Sequence, residues 1–159
     1  MSRKEKLLKV IAGIIAALFF YAAMSKLIDL DKSRQEMRNQ VFPTVIADLL
    51  WWLVPLTELL LMCLLLYLPS RLRALYASVA LLSAFTIYIA ITMTGVFGRV
   101  PCSCGGILSH MGYGTHLLFN LVFIGLALWG VAIDNEWKAM NRWLHLNKER
   151  SFRQLNDQS

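Results

Sequence analysis

Four apolar segments, near residues 7–28, 45–68, 72–95 and 115–134, dominate this 159-residue chain. At roughly 1.5 Å of rise per residue, each is long enough to cross the about 30 Å hydrocarbon core of a bilayer. Lipid offers no partner to a backbone N–H or C=O, so segments of this kind must be helices rather than open strands. The expected fold is an all-α membrane protein: a four-transmembrane-helix bundle over residues 1–134, followed by a more polar tail over residues 135–159. Hydrophobic residues make up 57% of the chain, well above the share in an ordinary soluble domain. The first segment follows Arg3-Lys4-Glu5-Lys6, as a signal peptide would. Its apolar run is long, however, and Ala22-Ala23-Met24-Ser25 offers no small-x-small cleavage site, so it reads as a retained helix.

Sixteen Lys and Arg against ten Asp and Glu give a net charge of +6. Their distribution reads as an orientation signal, not a nucleic-acid footprint. Eleven basic residues lie on one side of the membrane: Arg3, Lys4, Lys6 and Lys9 at the amino terminus, Arg71 and Arg73 between the second and third spans, and five in the tail. The other side holds five, Lys26, Lys32, Arg34, Arg38 and Arg99. The positive-inside rule then places both termini in the cytoplasm and the break between the third and fourth spans outside. In the tail, Trp137, Met140 and Leu144 share one helical face among Lys138, Asn141 and Arg142, the pattern of a short amphipathic helix on the cytoplasmic leaflet. Small residues at helical spacing, Ala12 with Ala16, Gly13 with Ala17 and Ala80 with Ala84, suggest close helix–helix approach. Trp51 and Trp52 mark an interface, and Pro55 is expected to kink the second span and shape a cavity there.

The outer break carries Arg99-Val100-Pro101-Cys102-Ser103-Cys104-Gly105-Gly106. Two residues of extended backbone separate Cα atoms by about 7 Å, the upper edge of disulfide geometry, so closing this pair demands a bent chain that Gly105 and Gly106 permit. A strained, exposed disulfide is more readily reduced than a structural one, which suits a thiol–disulfide oxidoreductase centre. Arg99 is placed to favour the thiolate. Two other readings stay open: a structural crosslink bracing a non-enzymatic assembly subunit, and a zinc or copper site built from Cys102, Cys104, His110 and His116. Against the metal site, the C-x-C-x5-H-x5-H spacing is not a usual finger spacing, and the two histidines read first as interfacial residues. Cys63, inside the second span, reads as a small buried hydrophobe.

Glu58 lies near the middle of that same span, where an unpaired acid costs about 2.5–3.5 kcal/mol on insertion scales, so it should face the bundle interior and have a partner. Lys26, at the outer end of the first span, is one candidate; Asp48 and Asn120 are other polar groups at comparable depth. The alternative for Lys26 is that it snorkels to the interface.

The ordered combination of Tyr21 and Ser25-Lys26-Leu27, Pro55 with Glu58-Leu59, Gly95, and Cys102-Ser103-Cys104-Gly105-Gly106 resembles the MauE/DoxX-type redox-associated membrane proteins over roughly residues 7–134. The resemblance implies a bacterial inner-membrane protein. In the MauE branch it also implies maturation of a disulfide-rich periplasmic enzyme alongside a thioredoxin-like partner. By that analogy Cys102 and Cys104 are the exchanging pair, Lys26 and Glu58 the charged positions within the helices, and a quinone, through the DoxX-like relatives, a candidate acceptor. MauE-like sequences commonly carry Cys-Gly-Cys-Phe-Gly; here Ser103 and Gly105 replace the inner Gly and Phe.

Overall fold

The structure is a computed structural model that describes residues 3–96 and 113–156. Among these residues it is all-helical, with α1 spanning Arg3–Ile28, α2 Leu30–Arg38, α3 Thr44–Leu66, α4 Arg71–Met93 and α5 Tyr113–Asn156. Four helices are long and apolar enough to cross a membrane: Arg3–Ile28, Thr44–Leu66, Leu68–Met93 (α4 with the 3-10 turn before it) and Gly114–Glu136. They coincide closely with the four segments expected from hydropathy.

The spans form a ring in which α1 packs on α3, α3 on α4, α4 on α5 and α5 back on α1, with α1–α3 and α4–α5 the most extensive contacts. Contacts between opposite ends of the chain fix the antiparallel sense. Lys4 at the start of α1 meets Glu136 of α5 at 2.8 Å, and Asn135 Nδ2 donates to the Tyr76 hydroxyl near the start of α4 at 3.3 Å. The core runs along one stripe of α1, Leu8, Ile11, Ile15, Phe19 and Ala23, at the three- and four-residue spacing of a single helix face. It meets Leu61 and Leu65 of α3, Ala74, Leu75 and Leu82 of α4, and Ala127 and Val131 of α5. Large apolar side chains such as Val10, Val45, Leu56, Ile87 and Val122 point outward instead, as expected of surfaces that contact lipid.

Small residues set the closest approach at one place. A Cβ on Gly130 would lie 3.1 Å from Ile11 Cγ2 and 3.4 Å from the Leu75 methyls, so α5 meets α1 and α4 there closely enough that even a methyl would make the Ile11 side chain give way. Of the three small-residue pairs in the sequence, only Ala12 and Ala16 are buried at a helix contact. Ala17, Ala80 and Ala84 are exposed, and Gly13 has nothing within 4 Å of its Cβ position, so those two pairs do not mediate packing in this chain.

Three further features differ from the sequence expectation. The connection between the first two spans contains α2, whose Asp29 cap accepts a hydrogen bond from the Lys32 amide at 3.1 Å and whose Ser33 and Met37 turn inward. The fourth span and the tail helix form one helix, α5, running without a break to Asn156; the tail side chains that would define an interfacial face lie outside the described residues. Cys63 is exposed on the outer surface of α3, not buried. A helix apolar on every side gives no periodic cue to which face is inward, and this one turns the thiol toward lipid.

Gly95 follows the α4 cap at φ +74°, the left-handed position that closes a helix, with its amide donating to the Thr92 carbonyl at 3.2 Å. Gly95→Ala places a Cβ in that conformation. It is expected to cost about 1 kcal/mol, read as a lowered unfolding midpoint in mixed micelles and as increased amide exchange confined to the last turn of α4.

Candidate functional site

Between α1, α3, α4 and the start of α5 lies a partly open cavity of about 300 Å³. Each helix contributes one face. From α3 come Leu50, Val54 and Glu58, spaced four residues apart around Pro55; α3 runs continuously through that proline from Thr44 to Leu66. From α4 come Leu82, Phe85, Tyr88, Ile89 and Thr92, and from α5 His116, Phe119 and Asn120. The walls are predominantly apolar and aromatic, with a few polar groups converging between them, the usual make-up of a small-molecule site.

The central polar element is the Lys26–Glu58 ion pair. Lys26 Nζ donates to Glu58 Oε1 at 2.9 Å and Oε2 at 3.1 Å, and its third donor direction goes to the Ala22 carbonyl at 3.0 Å. Both side chains are withdrawn from the surface, Lys26 to 11% and Glu58 to 3% exposure. Lys26 therefore turns inward to the acid rather than snorkelling, and the internal partner expected for Glu58 is present. Asp48 is engaged elsewhere. It takes Arg38 in a two-pronged pair at 2.7 and 2.8 Å and Arg34 at 3.1 Å, fastening α2 onto the first turns of α3. The hydrogen bonds that Arg38 donates to Asp48 hold its guanidinium above its already high ordinary range, so it is permanently charged. Arg34 also stacks over the Trp51 ring at 5.4 Å.

The remaining polar groups of the cavity interlock. The Tyr88 hydroxyl donates to Gln40 Oε1 at 2.7 Å, and the Tyr88 ring stacks on Phe42 at 5.3 Å, which closes the α2–α3 connection over the cavity. Thr92 Oγ1 donates to the Tyr88 carbonyl at 2.8 Å. Asn120 is different: it is 5% exposed, and its Nδ2 is buried without a hydrogen-bond partner among the described residues. Gln40, Phe42, Tyr88 and Thr92 were not anticipated from the sequence. The usable signals were the Asp29 cap and the Arg34/Arg38 spacing that together mark α2.

Of the residues expected to carry chemistry, Lys26, Glu58 and His116 are brought together at the cavity. Arg99, Cys102, Cys104, Gly105, Gly106 and His110 lie outside the described residues. Their attachment points do not: α4 ends at Met93 and α5 begins at Tyr113, close in sequence to the cavity-lining Thr92 and His116, so the cysteine-bearing segment is tethered at this end. No cluster of three metal-ligating side chains occurs among the described residues.

A family model described as methylamine utilisation protein MauE matches residues 4–133, which takes in nearly all of the four spans and the segment carrying Cys102 and Cys104. No curated protein and no solved structure matches the chain.

Proposed function

The chain belongs to the MauE family, and from that premise we propose that it is a bacterial inner-membrane thiol/disulfide relay, serving a disulfide-containing or thioredoxin-like periplasmic partner through Cys102 and Cys104. The observation that carries this reading is the position of the buried Lys26–Glu58 pair and its cavity at the end of the bundle to which the Cys-x-Cys segment is tethered. An ion pair held inside a membrane bundle is costly to maintain and marks functional positions more often than structural ones. The charge distribution, eleven basic residues against five, supports an outward-facing segment and cytoplasmic termini. The family's association with methylamine utilisation suggests that the partner belongs to that process.

One round of exchange balances between the pair and its partner, and a second dithiol protein supplies the electrons for the next. A thiolate of the reduced pair attacks a partner disulfide and expels one partner thiolate. The second cysteine then attacks the mixed disulfide, releasing the partner as a dithiol and leaving Cys102–Cys104 oxidised. A second dithiol protein returns the pair to its reduced form by the same two steps, and the reverse sequence oxidises the first partner instead.

Thiol trapping in intact cells tests the reading. A relay gives a mixture of reduced and oxidised Cys102/Cys104 that shifts when the medium is made reducing or oxidising. Cys104→Ala or Cys102→Ala then accumulates a mixed disulfide with the partner. A pair that stays oxidised under all conditions, with unimpaired partner maturation in the double variant, would show a structural brace instead. Labelling of the segment only from the cytoplasmic side would overturn the topology.

A further inference from the structure

We infer that the end of the bundle opposite the cavity binds a phosphate group through Arg71, the chemistry shared by an anionic phospholipid head group and inorganic phosphate.

Arg71 opens α4, close to the start of the span Leu68–Met93. It belongs to the inward face that carries Ala74, Leu75, Ser78 and Leu82 and is only 6% exposed, whereas Arg73, two positions on, is exposed. Its Nε is sealed from solvent without a hydrogen-bond partner, and Arg71 joins no ion pair among the described residues. A guanidinium cannot relieve such burial by losing its proton, so it calls for an anion.

No acid among the described residues supplies one. At this end Glu136 is held by Lys4 at 2.8 Å and Glu5 by Lys9 at 3.0 Å. Asp134 comes level with Arg71: Gly130 of α5 meets Leu75 of α4, and the two residues lie one helical turn from that contact toward the same end. Asp134 is buried with an interaction of its own, and no ion pair joins it to Arg71. Arg3, Lys4, Lys6, Lys9 and Arg73 share this end with Arg71, so cations outnumber acids and the local field favours an incoming anion.

The chemistry of the anion follows from depth and shape. The start of a span lies where lipid phosphates lie, and basic pockets between spans on the cytoplasmic side seat anionic head groups. A guanidinium offers Nε and a terminal nitrogen side by side, and two oxygens of one phosphate take both donors together. Arg71 is at the far end of α4 from Thr92 and the cavity, so the site is independent of whether Cys102 and Cys104 exchange disulfides.

The test titrates the full-length protein, in neutral-detergent micelles and phosphate-free buffer of matched ionic strength, with dioleoylphosphatidylglycerol, oleate or sodium phosphate. Thermal melting and native mass spectrometry read the binding. Wild type is expected to melt at higher temperature with a phosphate source and to retain it saturably, while oleate, an anionic lipid without phosphate, has the smaller effect. A response to phosphatidylglycerol alone assigns the phosphate to a lipid head group; a response to sodium phosphate as well assigns it to the free anion. Arg71→Met removes the buried cation and is expected to bind either source about tenfold more weakly, the loss of one charge-assisted hydrogen bond. Arg71→Lys keeps the charge without the fork and should fall between the two, and Arg73→Gln, at the exposed neighbour, should bind as wild type does. Phosphate binding at Arg71 is overturned if neither phosphate source raises the melting temperature of wild type, if oleate matches phosphatidylglycerol, or if Arg71→Met and Arg71→Lys both respond as wild type does.

Discussion

Lys26→Met is expected to destabilise the bundle by about 3–5 kcal/mol, the largest loss from any single polar substitution in this chain, because it leaves a carboxylate buried without its counter-ion. Glu58 is 3% exposed and accepts both of its ion-pair hydrogen bonds from one ammonium group. It sits near the middle of α3, too far from either end to reach water. The reverse substitution, Glu58→Leu, is expected to cost less. Lys26 lies two residues from the end of α1, and its four-carbon stem can carry the ammonium to the interface once the acid is gone. The double variant Lys26→Met/Glu58→Leu replaces the pair with apolar side chains of similar length and should recover most of the stability, since exchanging a whole buried pair for packed hydrophobes is commonly neutral. Reversible unfolding in mixed micelles ranks the four proteins. A double variant no more stable than Lys26→Met would refute the pairing. A double variant that recovers stability while partner maturation fails in cells would separate a functional role of the pair from a structural one.

This pair also shows what the sequence could and could not convey. That Glu58 needed an internal partner was legible, because the cost of an acid in hydrocarbon depends on residue type and depth alone. The identity of the partner depended on which helix faced which, and Lys26 is 32 positions away. The four spans were legible for the same reason as the acid: bilayer thickness fixes their length and lipid fixes their composition, so no knowledge of packing is required. Facing is where the sequence falls silent. α1, α3 and α4 are apolar around their whole circumference, so the period that reveals an inward face in a soluble helix is missing. Cys63, assigned to the interior, turns outward, and of the Ala80/Ala84 pair Ala80 is exposed while Ala84 lines the cavity instead of a helix contact. A cavity beside Pro55 was legible, but the residues of its other walls were not, because they come from single faces of different helices. The short helix α2 was not anticipated: its charged residues Asp31, Lys32, Arg34, Glu36 and Arg38 carry no apolar stripe, and only Ser33 and Met37 pack inward.

Facing can be tested with two adjacent residues. Phe19→Ala is expected to cost about 3 kcal/mol, whereas Phe20→Ala, one position along the same helix, should change stability by no more than about 0.5 kcal/mol. Phe19 is 2% exposed and belongs to the core stripe of α1, while Phe20 is 49% exposed on the outer face. In water both would lose hydrophobic transfer energy in proportion to burial. Within a bilayer the lipid is as apolar as the core, so that term largely vanishes and only lost contacts and the new void remain. Phe20 exchanges ring–lipid contacts for alanine–lipid contacts and leaves no void, because acyl chains fill the space. Phe19 leaves a hole in the core cluster it shares with Ile15, Leu61 and Leu82, and because Phe19 lines the cavity the hole joins it. That open side means part of the ring had few partners to lose, which places the expected cost at the lower end of the about 3–5 kcal/mol found for phenylalanine truncations in soluble cores. Equal losses at the two positions, measured as unfolding midpoints in the same micelles, would mean that α1 does not present the stripe Leu8, Ile11, Ile15, Phe19 to the bundle. The cavity wall built on that stripe would fall with it.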